Sequence, residues 1–182
     1  AAWIALLKAV PDSILWLSDG PSESARTYLR DQLTEQELDS SRLIFAPRLP
    51  NKAEHIHRHR CADLFLDTFT FSAATTTTDA LWAGLPVLTR PGPTGQSRLS
   101  ASLLQAVGFT DTIVPDTKAY ISFATRVGKS KPQSELLKRK LARALPHARL
   151  YDAGRLVAQF KELYARVWEQ YESGKPPAHM DI

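Results

Sequence analysis

Between Glu54 and Gly84 the chain reads EHIHRHRCADLFLDTFTFSAATTTTDALWAG. Three histidines and two arginines precede a short apolar run, and four threonines and an aspartate follow it. Three chemistries fit such residues: a metal centre, a nucleic-acid contact, or a pocket for a phosphorylated ligand. The metal reading is weak. In a helix His55 and His59 share a face at i, i+4, while His57 points roughly opposite. No H-E-x-x-H pattern or other familiar ligand spacing completes the pair. A plain solvated basic face is the simplest account of this helix. Lys52, His55 and Arg58, three residues apart, also present donors along one side, suited to a base or a phosphate at a sheet's ligand edge.

The threonine run adds to that reading. A helix that starts among threonines offers unpaired backbone N–H groups, a partial positive charge and extra hydroxyl donors. Thr75 and Thr76 ahead of DALWAG would cradle a pyrophosphate. The simpler alternative is a capping box, Thr76-x-x-Asp79, serving only the helix. Asp79 is also suited to accept hydrogen bonds from a ribose diol. No glycine-rich phosphate loop of the G-x-x-x-x-G-K-[ST] type is present.

These residues need a scaffold, and the pattern around them supplies one. Short apolar runs (SILWLSDG, whose Asp-Gly closes the strand, RLIFAP, DLFLDT, LPVLT, DTIVP) alternate with helical segments. Ser22 and Asn51 are expected helix caps, Gly84 and Gly108 stops, and Pro132 an early helix position. Strands alternating with helices predict an α/β fold: a Rossmann-like parallel sheet of about five strands flanked by helices. Ligands in such sheets bind beyond the carboxyl ends of the strands, where the histidine helix and the threonine run fall. Residues 1–150 are read as sheet and flanking helices, and 151–173 as one long amphipathic helix. Leu156, Val157, Phe160, Leu163, Tyr164, Val167, Trp168 and Tyr171 form its stripe. All 182 residues make a single lobe, and a start inside an apolar helix, AAWIALLKAV, suggests a piece of something longer.

Composition narrows the partners. The hydrophobic share of 43% allows an ordinary core, and the net charge of +4 is mild and scattered, which argues against a nucleic-acid partner. Cys61 is the one cysteine, so neither a disulfide framework nor a cysteine metal site is expected. No apolar run is long enough to span a bilayer and no signal-peptide pattern opens the chain; a cytoplasmic setting without membrane contact is expected.

The ordered blocks HRCADLFLDT, TTTTDALWAGLPVLTRPG and SRLSASLL, flanked by LLKAVPDSILWL and LYARVWEQYESGKPPAHM, resemble the O-linked N-acetylglucosaminyltransferases over nearly the whole chain. These are two-lobed B-type glycosyltransferases that use UDP-GlcNAc to modify serine and threonine of proteins. The resemblance implies the C-terminal, nucleotide-sugar-binding lobe. It places Lys52, His55 and Arg58 around the uracil, Asp79 on the ribose, and Thr75 and Thr76 on the pyrophosphate. The family's histidine before the threonines is Ala74 here. Its leaving-group lysine lies upstream of the LLKAVP helix, and Lys8 does not replace it, so no catalytic residue is assigned. The resemblance further implies metal-independent transfer without a cofactor, an N-terminal catalytic lobe, helical repeats and protein acceptors as partners, and an isolated chain that is inactive. Rival readings are a non-catalytic uridine-nucleotide module, a UDP-sugar epimerase-like lobe, and an RNA-binding domain.

Overall fold

The computed structural model describes residues 1–18, 20 and 22–180. Twelve regular elements follow the expected alternation among these residues: α1 (Ala2–Ala9), β1 (Leu15–Ser18), α2 (Glu23–Thr34), β2 (Leu43–Ala46), α3 (Lys52–Arg58), β3 (Phe65–Leu66), α4 (Thr75–Trp82), β4 (Val87–Leu88), α5 (Leu99–Val107), α6 (Thr117–Gly128), α7 (Lys131–Ala144) and α8 (Ala153–Glu172). Short 3-10 turns link several of them. Asp19 of the turn expected after β1 lies outside the described residues.

Local chemistry sets the helix ends. The Ser22 hydroxyl accepts from the Ala25 amide at 3.3 Å, and Asn51 Oδ1 accepts from the Ala53 and Glu54 amides at 2.8 and 3.4 Å. Pro132 sits in the first turn of α7, where its missing N–H costs nothing. Gly108 closes α5 in the left-handed region at φ 76, a conformation that side chains with a Cβ disfavour.

The single five-stranded sheet expected from the sequence is not what forms. β1 pairs with β2 and β3 with β4, each in parallel, as two separate pairs. The DTIVP segment contributes one parallel bridge, Thr89 to Ile113. Two hydrogen bonds hold it, Thr89 N to Thr112 O at 3.1 Å and Val114 N to Thr89 O at 3.0 Å. The reason is local. Ile113 N turns back to Thr110 O, which removes it from any longer ladder. β3 itself is two residues long; its last ladder bond runs from Asp67 N to Leu88 O at 3.0 Å, and the Asp67 side chain bonds into the following loop.

Helices cover both faces of these short strands, and β4 shows the alternation. Val87 packs with Leu81, Leu104 and Leu141 of α4, α5 and α7. Leu88 packs on the other side with Leu6 of α1 and Tyr120 of α6. A third cluster joins Leu7, Leu15, Leu33 and Leu43, with Leu66 against it, which ties the two strand pairs together. Leu81, Leu104 and Leu141 are fully buried, each stabilising the fold by about 1.5–3 kcal/mol.

α8 is different. It runs for 20 residues with none of them buried, and its apolar stripe faces outward: Phe160, Tyr164, Trp168 and Tyr171 are all exposed. No helix among the described residues is long and apolar enough to cross a membrane.

Candidate functional site

The site is built on the carboxyl ends of β3 and β4 and on the helix that follows each of β2 and β3. β3 runs into Asp67, which is 2% exposed. Its Oδ1 accepts from the Ala73 amide at 2.8 Å, and its Oδ2 from the Thr89 hydroxyl at 2.6 Å. The carboxylate therefore ties the end of the 67–74 loop to the strand beside it. From the far side Ser100 of α5 completes the anchoring. Its hydroxyl donates to Ala73 O at 2.8 Å and receives from Ser72 and Thr77, at 2.9 and 2.8 Å. The start of α4 is thus fixed by buried polar contacts, and buried networks whose members are satisfied rigidify what they touch.

The four threonines divide by role. Thr77 points inward to Ser100. The Thr78 hydroxyl bonds back to Thr75 O at 2.7 Å. Thr75 and Thr76 remain exposed, at the helix end. The capping box considered above does not form: the N-cap is Ala74, it has no side-chain cap, and the Asp79 carboxylate turns elsewhere. The first-turn N–H groups of α4 are left without an intrahelical acceptor, at the end of the helix where Thr75 and Thr76 are exposed.

α3 lies alongside α4. Lys52 Nζ donates to Asp79 Oδ2 at 2.5 Å, and His55 Nε2 stands 3.5 Å from the same oxygen. Arg58 sits behind His55, with Nη2 3.1 Å from His55 Nδ1, Nη1 donating to Pro47 O at 2.6 Å, and the guanidinium over the Trp16 ring. Burial holds the His55 imidazole below its usual pKa, and the nearby Arg58 and His59 charges act the same way, against the pull of Asp79. The shift favours the neutral imidazole, which carries one donor and one acceptor nitrogen. His59 is buried and bonded to His55 O at 2.8 Å, and His57 is exposed. Among the described residues no three of His, Cys, Asp or Glu gather as a metal-binding set.

Of the six residues singled out in the sequence, the structure draws Lys52, His55, Arg58 and Asp79 into one chain of contacts and sets Thr75 and Thr76 at the start of the helix that carries Asp79. Others escaped sequence reasoning. Asp67 had one available signal, a carboxylate directly after an apolar run. Ser72 and Ser100 gave none beyond their size. Tyr151 comes from far along the chain: its hydroxyl donates to Thr78 O at 2.9 Å and its ring meets Trp82 at 4.9 Å. Burial pushes its pKa up to about 12, and the Asp79 charge adds to the effect.

Comparison with known proteins bears on the chain as a whole. The model of glycosyl transferase family 41 matches residues 1–160. A UDP-N-acetylglucosamine–peptide N-acetylglucosaminyltransferase of Caenorhabditis elegans is 33% identical over 98% of this chain, and a probable one of Arabidopsis thaliana, SEC, is 32% identical over 99%. A mutant O-GlcNAc transferase of Thermobaculum terrenum superposes with a TM-score of 0.81 at 27% identity, over 92% of this chain. The chain spans 15% and 18% of the two curated relatives and 32% of the solved one.

Proposed function

The chain belongs to glycosyl transferase family 41, and from that membership we propose that it is the donor-holding lobe of an enzyme that moves N-acetylglucosamine from UDP-GlcNAc to serine and threonine hydroxyls of proteins. The observation that carries this reading is the juxtaposition of the Lys52–His55–Asp79 cluster with the uncapped start of α4. One end offers neutral and charged donors and a carboxylate, the needs of a base and a ribose diol. The other offers N–H groups and the Thr75 and Thr76 hydroxyls, the needs of a diphosphate.

In the transfer the acceptor hydroxyl attacks the anomeric carbon and gives up its proton to solvent or to the departing diphosphate, the bond from that carbon to the diphosphate oxygen breaks, and UDP leaves with its charge. Fixed donors aimed at that charge lower the barrier without having to reorganise. The Asp67 and Ser100 contacts keep them fixed. The 2′ and 3′ hydroxyls of the ribose take the place of Lys52 on Asp79, or share it. We assign metal-independent transfer and no general base. Positioning of the acceptor accounts for roughly 7–11 kcal/mol in such reactions. We expect this chain, which spans 32% of the solved relative, to bind the donor without turning it over.

Titration with UDP while recording amide NMR spectra tests the reading. Lys52, His55, Arg58, Thr75, Thr76 and Asp79 are expected to shift together, unchanged by EDTA, with CMP and GMP competing poorly. Shifts confined to His57 and His59, or appearing with Zn²⁺ and not with UDP, would refute it.

A further inference from the structure

Arg90 stands at the carboxyl end of β4. Its guanidinium lies over the Phe69 ring, 4.6 Å from the centroid, and its Nε is covered with no hydrogen-bond acceptor in reach. Among the described residues no carboxylate pairs with it. The buried carboxylate of the loop network, Asp67, already accepts from Ala73 and Thr89. Folded proteins seldom leave a covered donor unpaired, and such a group in a native fold calls for an explanation.

The placement supplies one. Phe69 is itself held edge-on against Tyr120, 5.0 Å between centroids, so the ring that carries the guanidinium is anchored in the core. Phe69 and Arg90 sit on the two loops that leave β3 and β4. These loops run side by side: a Cβ on Gly92 would stand 3.7 Å from Phe69 O, and Ser72 N donates to Gln96 O at 3.0 Å. The loop of Phe69 then ends at Ala74, the N-cap of α4. The cation is therefore preset beside the loop that leads into the N–H and hydroxyl cradle.

We propose that Arg90 is a diphosphate-binding residue of this lobe, supplying to the donor's phosphates a fixed positive charge that the α4 cradle of neutral donors lacks. The proposal rests on the nucleotide-sugar reading above. A planar guanidinium meets phosphate oxygens with paired hydrogen bonds, which an ammonium does not reproduce. Stacking on Phe69 limits the freedom lost when the ligand arrives.

The test compares the wild-type chain with Arg90→Met and Arg90→Lys by calorimetric titration of UDP, uridine and inorganic pyrophosphate. Arg90→Met keeps the length and apolar stem of the side chain and removes the charge. It is expected to weaken UDP and pyrophosphate on the order of tenfold or more while leaving uridine unchanged, with Arg90→Lys falling between. Wild-type affinity for UDP and pyrophosphate in Arg90→Met overturns the proposal, as does an equal loss for uridine, which would mark a structural role. If the wild-type chain takes pyrophosphate but discriminates UDP from no other nucleotide, the uridine reading fails while the pyrophosphate comparison still decides on Arg90. No pyrophosphate or UDP binding by the wild-type chain ends both.

Discussion

Asp79 reaches from α4 to α3 and accepts a hydrogen bond from Lys52 at 2.5 Å. The pair is uneven: the lysine side chain is 61% exposed and the carboxylate only 13%. An exposed lysine contributes little to stability, about 0–1 kcal/mol for such pairs. The value of the contact is that it holds the carboxylate in place. Asp79→Ala should therefore change binding more than folding. We expect UDP to weaken about ten- to hundredfold, corresponding to roughly 1.5–3 kcal/mol for a lost charged acceptor. Free pyrophosphate should bind as before, since it has no ribose. Calorimetric titration of both ligands checks this, and an equal loss for pyrophosphate would move Asp79 to the phosphate end.

Neighbouring threonines should behave oppositely. Thr76 is exposed at the start of α4, whereas Thr77 is buried and bonded to Ser100 at 2.8 Å. Thr76→Val should weaken UDP and pyrophosphate alike with stability changed by no more than about 0.5 kcal/mol. Thr77→Val removes one member of a buried hydroxyl network and should cost roughly 1–3 kcal/mol of stability. Urea unfolding of the two variants beside the wild type separates them.

Much of this arrangement was legible because it is local. Capping by Ser22 and Asn51, the Gly108 stop and the faces of His55, His57 and His59 depend on residues within a few positions of one another. The sheet was less legible. Apolar runs mark where strands can form, but the turn of Ile113 N back to Thr110 O diverts a ladder donor through a contact that periodicity does not carry. Within the site, Lys52, His55 and Asp79 could be singled out by residue type. Tyr151 could not, because its partner Thr78 is 73 residues away and nothing near Tyr151 points to it. The α8 stripe shows another limit: spacing reveals that a face is apolar, not what lies opposite it.

That stripe leads to a third prediction. Phe160 and Tyr164 stack at 6.0 Å and Trp168 meets Tyr171 at 5.7 Å, yet all four are exposed. Contiguous exposed apolar surface binds hydrophobic probes. Replacing Tyr164 and Trp168 by Gln should lower the fluorescence of an added hydrophobic dye. It should leave the urea midpoint of the chain nearly unchanged, because these side chains contribute nothing to the buried clusters. A large loss of stability would mean that α8 packs on the body in solution.

The pH response of the site follows from His55. Its pKa is lowered in the folded chain, chiefly by burial and then by the Arg58 and His59 charges. The folded state therefore resists a proton that the unfolded chain accepts near its ordinary value of about 6.5. Above that pH the imidazole is neutral in both states and its contribution is fully present. As pH falls below it the unfolded chain protonates first, so stability declines, and the decline ends once pH has passed the lowered folded value. His55→Gln keeps a donor and an acceptor but cannot titrate. The wild type should lose more thermal stability than His55→Gln between pH 7.5 and 5.5, and part of that difference should vanish with Arg58→Met, which removes one of the charges that oppose protonation. Parallel losses in wild type and His55→Gln would show that the imidazole is not held neutral by its surroundings, and that the donor and acceptor it offers to a base are not preset.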